Sequence, residues 1–516
     1  MKQIQLNKKQ KIWIIVAAVV LAIVIVLSSI MGAAVAKSKA DRTVASGTLS
    51  MLGNLLRNKN KVQYETFEAQ GLYADEGQYP VENFRVSMSA MNHWGEKDKE
   101  YCLTEGFDFD AYDYSKYEYL VPDGNGNYAK GAITFTDGTR TADDVKSLQE
   151  FYNYYGATEM YVRINTTRYT PDANTDDFYH VRMHCLEQSL KACQVAADLG
   201  MPINVELGCF AGYSDAFESQ YPDFSEYSDA ELGITYPNAG GTRKEWKDMS
   251  LDEIKIVLRA YGKFVANTIK TQTGANVEIW DLGNETNYGF GGIMMPLKSS
   301  VSKATGKSFF ITYLKKNFGA DWLAENIWCY NGQMFAALKE GILEVYPNAK
   351  FSSHISTVTW GADYTVKYFK TLADNGYMVD QAGISYYPNA TGVILDKVSQ
   401  IKQIVLAVNR ELGVNVMLAE YGYANETGLA SGTFASWSNE VHGYTLTDAD
   451  GAKFLAELIT WGRQNGMAGI RPWAPELDWA NPWFDFTEVY NRETKQYEKT
   501  ATAKQALFDA LKASVQ

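Results

Sequence analysis

From about Val81 onward the chain repeats one unit, a short apolar run followed by an amphipathic stretch with helical periodicity. The runs read as strands over 84–88, 160–164, 203–207, 277–282, 350–355, 382–387, 416–420 and 468–473. The stretches between them read as helices over 143–155, 183–199, 251–271, 335–345, 366–375, 398–412 and 452–465, and 502–513 closes the series. A strand followed by a crossover helix returns parallel to its predecessor, so strict alternation implies a parallel sheet. Eight such units imply a closed (β/α)8 TIM barrel of the α/β class. The chain has 516 residues, without a Pro/Ser-rich linker or internal repeat across this region. One catalytic domain is expected over 81–516, with a long insertion loop rich in Tyr, Asp and Gly at 92–136.

The amino terminus is different in kind. Lys2, Lys8, Lys9 and Lys11 precede an apolar run from Ile12 to Ala36, interrupted only by Ser28 and Ser29. Its length, about 25 residues, is enough to span a bilayer as one helix. Ala34-Val35-Ala36 also offers a small-residue cleavage site of the signal-peptide kind. Residues 1–36 are therefore expected to be a transmembrane signal-anchor or a signal peptide, and 37–80 a polar, partly helical stalk. The body is expected outside the cell, anchored to the membrane by this helix alone or secreted.

Charge narrows the partners. The net charge is −13 and no basic cluster stands out, which is a poor match to nucleic acid. The 34 Tyr and 12 Trp fit either a large core or a groove of flat rings suited to sugars. Five cysteines (Cys102, Cys185, Cys193, Cys209 and Cys329) are too few and too odd in number for a disulfide framework, so buried free thiols are expected.

Barrels of this type carry their chemistry at the carboxyl ends of the strands. The fourth strand runs into Gly283-Asn284-Glu285, and the seventh ends in Glu420-Tyr421-Gly422. A single glutamate at a strand end is more often structural. Two, on strands that face each other across the axis, can flank a glycosidic oxygen and its anomeric carbon as acid/base and nucleophile. The acid needs a raised pKa and the nucleophile must stay ionised, so their surroundings must differ.

These residues carry a resemblance. The chain resembles the arabinogalactan endo-β-1,4-galactanases, a family of retaining (β/α)8 glycosidases, from about Gly131 to Leu511. The resemblance rests on Gly283-Asn284-Glu285-Thr286, Ile384-Ser385-Tyr386-Tyr387-Pro388, Ala419-Glu420-Tyr421-Gly422-Tyr423, Pro472-Trp473-Ala474-Pro475, Trp479-Ala480-Asn481 and Phe484-Asp485. It implies Glu285 as acid/base and Glu420 as nucleophile. It further implies that Asn284 binds the sugar 2-hydroxyl, Arg163 steadies the nucleophile, and Trp473 forms a floor under the cleaved sugar. His354 matches a family histidine ending the fifth strand. Tyr387, or else Tyr386, would donate a hydroxyl to Glu420. Where the family carries a Trp-His pair this chain has Asn389-Ala390-Thr391. Its third strand ends Glu206-Leu207-Gly208, Tyr161 and Asn165 flank Arg163, and Ala474 follows Trp473. A catalytic core inside an altered, more open substrate shell is implied, with Tyr112, Tyr114 and Tyr117 as replacement contacts.

Other signals are weaker. His180 and His184 share a helix face but have no third ligand at fixed spacing. Asp123-Gly124-Asn125-Gly126-Asn127 opens like a calcium loop yet lacks its later glycine and glutamate. Gly289-Phe290-Gly291-Gly292 opens no phosphate-binding helix, and no nucleophile-elbow serine is present. The expectation is a monomeric enzyme acting on a plant polysaccharide, without cofactor or metal. Its rivals are a barrel hydrolase of another β-linked polymer, glucan or mannan, and a catalytically weak surface carbohydrate-binding protein.

Overall fold

Parallel pairing carried through all eight units closes on itself. The computed structural model describes residues 66–67, 77, 79–90, 118–122, 128–168, 184–211, 221–294, 300–302, 304–305, 307–309, 319–356, 361–390, 397–424, 439, 441–477, 482–493 and 496–516. The barrel strands are β1 (Arg85–Val86), β2 (Met160–Ile164), β3 (Ile203–Leu207), β4 (Val277–Leu282), β5 (Phe351–Ser356), β6 (Gln381–Tyr386), β7 (Asn415–Tyr421) and β8 (Met467–Pro472). From β2 to β8 each pairs in parallel with the next, and β8 pairs with β1 through Arg85↔Gly469 and Val86↔Ile470. The seam between β1 and β2 is closed by the bridge Ser87↔Glu159. There the amides of Thr158 and Glu159 donate to the Val86 carbonyl at 2.9 and 3.3 Å. All eight expected strands are present, with ends shifted by at most two residues.

The outer layer is α1 (Val145–Tyr154), α2 (Leu186–Asp198), α3 (Leu251–Gln272), α4 (Cys329–Leu343), α5 (Gly361–Asp374), α6 (Lys397–Leu412), α7 (Asp448–Asn465) and α8 (Gln505–Val515). Local chemistry sets their ends. α3 opens on a capping box, in which Ser250 Oγ accepts from the Glu253 amide and Glu253 Oε2 accepts from the Ser250 amide at 2.8 Å. α7 stops at Gly466, whose φ of 91° lies in the left-handed region that favours glycine. Among the described residues no helix is long and apolar enough to cross a membrane. The apolar run 12–36 lies outside the described residues, as do Tyr112, Tyr114, Tyr117 and His180.

A bulge aims one side chain. β6 and β7 stay in step to Ile384↔Leu418, but the next pair is Ser385↔Glu420, so Ala419 is an extra residue. Strict alternation would turn Glu420 to the same face as Leu418, which belongs to the apolar core. The extra residue turns Glu420 to the opposite face.

Two expectations need correction. The 92–136 segment is not loop throughout. Glu118–Pro122 and Tyr128–Thr136 pair as antiparallel strands, and Tyr128–Thr136 runs parallel to Gln496–Ala503. Gln496–Ala503 in turn forms a hairpin with Phe484–Asn491, so the last helix begins at Gln505 rather than 502. The two hairpins of this side sheet are local, but the pairing that joins them, Tyr128–Thr136 with Gln496–Ala503, spans hundreds of residues and is invisible to a local sequence reading. The stalk reading also ends too late. Phe67 is buried against Phe454 and Trp461, with ring centroids 5.1 and 6.2 Å away, so the globular body begins upstream of Val81. Cys193 and Cys209 are buried free thiols, as expected, and Cys185 is buried too.

Phe508 of α8 locks the side sheet to the barrel. It is fully buried, with Phe151, Trp483 and Phe484 rings 5.5, 5.3 and 5.3 Å away. Phe508→Ala is expected to cost about 3–5 kcal/mol through lost burial and the cavity left behind. It should lower the urea midpoint, and an unchanged midpoint would show that this cluster does not secure the sheet.

Candidate active site

The turn after β4 is built for a tight approach. Gly283 has φ 80°, and a Cβ there would lie 2.3 Å from Thr286 Cγ2, so only glycine fits. Glu285 follows with φ 45° and ψ 50°, a conformation that non-glycine residues rarely hold. Cys209 after β3 and Ala474 after β8 also have positive φ, 53° and 48°. All three strained non-glycine residues among those described therefore sit at the carboxyl ends of barrel strands. Strain concentrated in one place is a pointer to function.

Glu420, at the end of β7, is 7% exposed. Tyr387 donates its hydroxyl to Glu420 Oε2 at 2.9 Å, and Arg163 Nη2 lies 3.8 Å from Oε1. Burial pushes the Glu420 carboxyl above its ordinary range, against the pull of His354 and Arg163. Burial also raises the Tyr387 phenol well above its usual value, reinforced by the Glu420 and Glu285 carboxylates. Both glutamates thus act on one hydroxyl, which stays protonated and serves as a donor.

Arg163, from β2, is the hub. Its Nε lies 2.6 Å from Glu206 Oε1 and donates to the Tyr161 hydroxyl at 2.8 Å, while Nη2 donates to Asn284 Oδ1 at 3.0 Å. Burial opposes its charge, but the neighbouring Glu206 raises its pKa further, so the guanidinium stays charged. His354 is fully buried on β5, with Nδ1 3.0 Å from Asp281 Oδ2 and Nε2 3.0 Å from Asn284 Oδ1. Its neighbour across the sheet is Gly383, where a Cβ would lie 2.4 Å from His354 Cβ. A side chain on β6 would displace the imidazole.

The structure thus brings Glu420, Arg163, Asn284, His354 and Tyr387 into one hydrogen-bonded group, with Glu285 acting on Tyr387. Trp473 is half-buried, and its amide donates to the Tyr421 carbonyl at the end of β7 at 2.9 Å. Tyr386 does not join them. It is fully buried with its hydroxyl donating to the Lys397 carbonyl at 3.2 Å, because alternation along β6 turns it away from the face of Tyr387. Of the two tyrosines considered for the Glu420 contact, Tyr387 makes it.

Sequence reasoning missed Asp281 and Arg471. Arg471 is 2% exposed and lies 3.4 Å from Glu206 Oε2 and 3.5 Å from Asp281 Oδ2. Its guanidinium stacks 4.0 Å from the Tyr161 ring centroid. Asp281 sits two residues before Gly283, and Arg471 two before Trp473. Reading back along each strand in steps of two from the motif would have found both.

Glu206, Asp281 and His354 bring ligand-type atoms within 4.8 Å of one another. Arg163 and Arg471 stand against the same carboxylates and supply the positive charge that a cation would. The arrangement reads as an ion-pair network beneath the site.

The family model described as "Glycosyl hydrolase family 53" matches residues 223–515, more than half of the chain. Among solved structures, the GH53 catalytic domain of Ignisphaera aggregans aligns at 15% identity and TM-score 0.53, over 88% of this chain and 99% of that one. A structure from a study of two fungal β-1,4-galactanases aligns at 13% identity and TM-score 0.48, over 73% of this chain and 94% of that one. Among curated proteins none matches the chain in sequence. At 15% identity the likeness to the Ignisphaera aggregans domain speaks for the barrel fold alone.

Proposed function

The chain belongs to glycosyl hydrolase family 53 and is a glycoside hydrolase, and from that premise we propose that it is a retaining, endo-acting hydrolase of β-1,4-galactan or arabinogalactan side chains. Glu285 is the acid/base and Glu420 the nucleophile. The observation that carries this reading is the buried Glu420 at the end of β7, held by the Tyr387 hydroxyl and Arg163, with Glu285 in the turn that follows β4. Glu285 gives its proton to the glycosidic oxygen as that bond breaks, while Glu420 Oε attacks the anomeric carbon. Glu285 then takes a proton from water, which displaces Glu420 and restores the original configuration. Arg163 and the Tyr387 hydroxyl hold Glu420 aimed, and Asn284 is the group that meets the 2-hydroxyl. Trp473 offers its ring to the sugar face.

One observation favours a second substrate. Where the family resemblance calls for an aromatic ring and a histidine, Asn389 is buried and tied into the scaffold. Its Oδ1 accepts from the Ala424 amide at 2.9 Å, and its Nδ2 donates to the Asn439 carbonyl at 3.0 Å. Loss of a stacking ring is worth on the order of 0.5–1.5 kcal/mol, which weakens grip without ending catalysis. Another β-linked backbone, glucan or mannan, is the alternative. Reducing-sugar release from galactan, arabinogalactan, mannan and mixed-linkage glucan separates the two, with galactan or arabinogalactan expected to rank first. If a glucan or mannan is cut faster, the galactanase assignment fails.

The apolar run 12–36 supports a body held outside the cell membrane, where a polymer can reach it. Protease added to intact cells should remove the domain, unless it is already in the medium. A domain released only by lysis would rule this location out.

A further inference from the structure

Asn284 Oδ1 accepts from Arg163 Nη2 at 3.0 Å, and a guanidinium can only donate. The oxygen, not the nitrogen, of this amide must therefore face Arg163. His354 Nε2 approaches the same oxygen at 3.0 Å, so that ring nitrogen must also donate. The other nitrogen, Nδ1, faces the Asp281 carboxylate at 3.0 Å and donates there too. An imidazole that donates from both nitrogens is an imidazolium. We propose that Asp281 is a positioning residue that keeps His354 an imidazolium at neutral pH, and that His354 and Arg163 together lock the Asn284 amide with its N–H groups turned to the opposite side, for the sugar 2-hydroxyl. This rests on the glycosidase reading of the site and adds residues to it.

The surroundings agree. Burial disfavours charge on His354, but Asp281 outweighs it and the pKa is pushed up to about 9, with Glu206 and Glu420 adding to the rise. Asp281 itself is nearly fully buried, and its carboxyl is held low by His354, Arg471 and the Ser352 hydroxyl, which donates to Oδ1 at 2.8 Å. The charged groups around the ring are thus Asp281 on β4, Glu206 on β3, Glu420 on β7, Arg163 on β2 and Arg471 on β8. Were His354 neutral with its proton on Nδ1, the Nε2 lone pair would face the Asn284 oxygen. That repulsion would loosen the amide, which Arg163 alone would then hold, and its N–H groups would no longer be fixed toward the substrate. The contact at the 2-hydroxyl strengthens in the transition state, so the loss would fall on kcat more than on KM.

Nitrogen NMR of the histidine-labelled full chain, with His354→Gln to assign the signal, reads the ring directly. In the wild type both His354 nitrogens are expected to be protonated at neutral pH. In Asp281→Asn one should lose its proton. Kinetics with an aryl β-glycoside and its 2-deoxy analogue form the second arm. The wild type should lose about a hundredfold in kcat on removal of the 2-hydroxyl, and Asp281→Asn only a few-fold. Should Asp281→Asn fail to fold, Ser352→Ala removes one donor from Asp281, leaves its charge less screened, and should raise the His354 titration midpoint. A neutral His354 in the wild type, an equal 2-deoxy penalty in both proteins, or an unmoved midpoint in Ser352→Ala overturns the proposal. Absence of any glycoside hydrolysis by the wild type would instead sink the reading it rests on, and the NMR arm tells the two apart.

Discussion

Glu420→Ala is expected to lose about 10⁴-fold or more in kcat/KM on the polymer, because removal of a nucleophile abolishes the covalent route. Glu285→Ala should lose about 10²–10⁴-fold, the usual contribution of general acid–base catalysis. The two variants should part company on an aryl glycoside whose leaving group needs no proton. There Glu285→Ala forms its glycosyl-enzyme at near the normal rate and then stalls, lacking a base to activate water. Azide needs no such base. It attacks the anomeric carbon, expels the Glu420 carboxylate and leaves a β-glycosyl azide. In Glu420→Ala, azide can only take the place of the missing carboxylate and give the α-azide. The anomeric configuration of the isolated azide therefore reports which glutamate does which task. Wild-type turnover of the polymer by both variants would remove these residues from the chemistry altogether.

Arg163→Met should be nearly as damaging and for a different reason. Arg163 serves Glu206, Tyr161, Asn284 and Glu420 at once. Its removal leaves a buried Glu206 short of a counter-charge, at a cost of about 3–5 kcal/mol in stability. Activity should fall about 10²–10³-fold, the range seen when one preorganised donor is lost. The pH profile gives the sharper test. Glu420 must be ionised to attack, and burial already lifts its pKa above the usual range while Arg163 pulls it down. Without that pull the pKa rises further, so the acid limb of kcat/KM moves to higher pH. Arg163→Lys keeps the charge but not the planar fork, and should shift the limb less. An acid limb unmoved in Arg163→Met would mean that Arg163 does not tune the nucleophile.

Much of this was legible because the signals are local. Period-two runs and helical stretches alternate within a few tens of residues, and a strand's last residues are neighbours in sequence. The barrel, its strand numbering and the strand ends bearing Glu285 and Glu420 follow from that, whereas Arg163, His354 and the Tyr387 contact were implied by the family resemblance. Other features depend on pairing that no local window contains. Tyr128–Thr136 is tied into the side sheet by Gln496–Ala503, far along the chain. The Ala419 bulge, which turns Glu420 away from the core, exists only as a mismatch of register between β6 and β7. Sequence alone determined which carboxylates stand at the carboxyl ends of facing strands, because alternation and turn chemistry are written residue by residue. Only the tertiary structure decided that Asp281, Glu206 and Arg471 meet Arg163 and His354 beneath them, because a charge network is set by which strands close the barrel side by side, and that is a property of the whole chain.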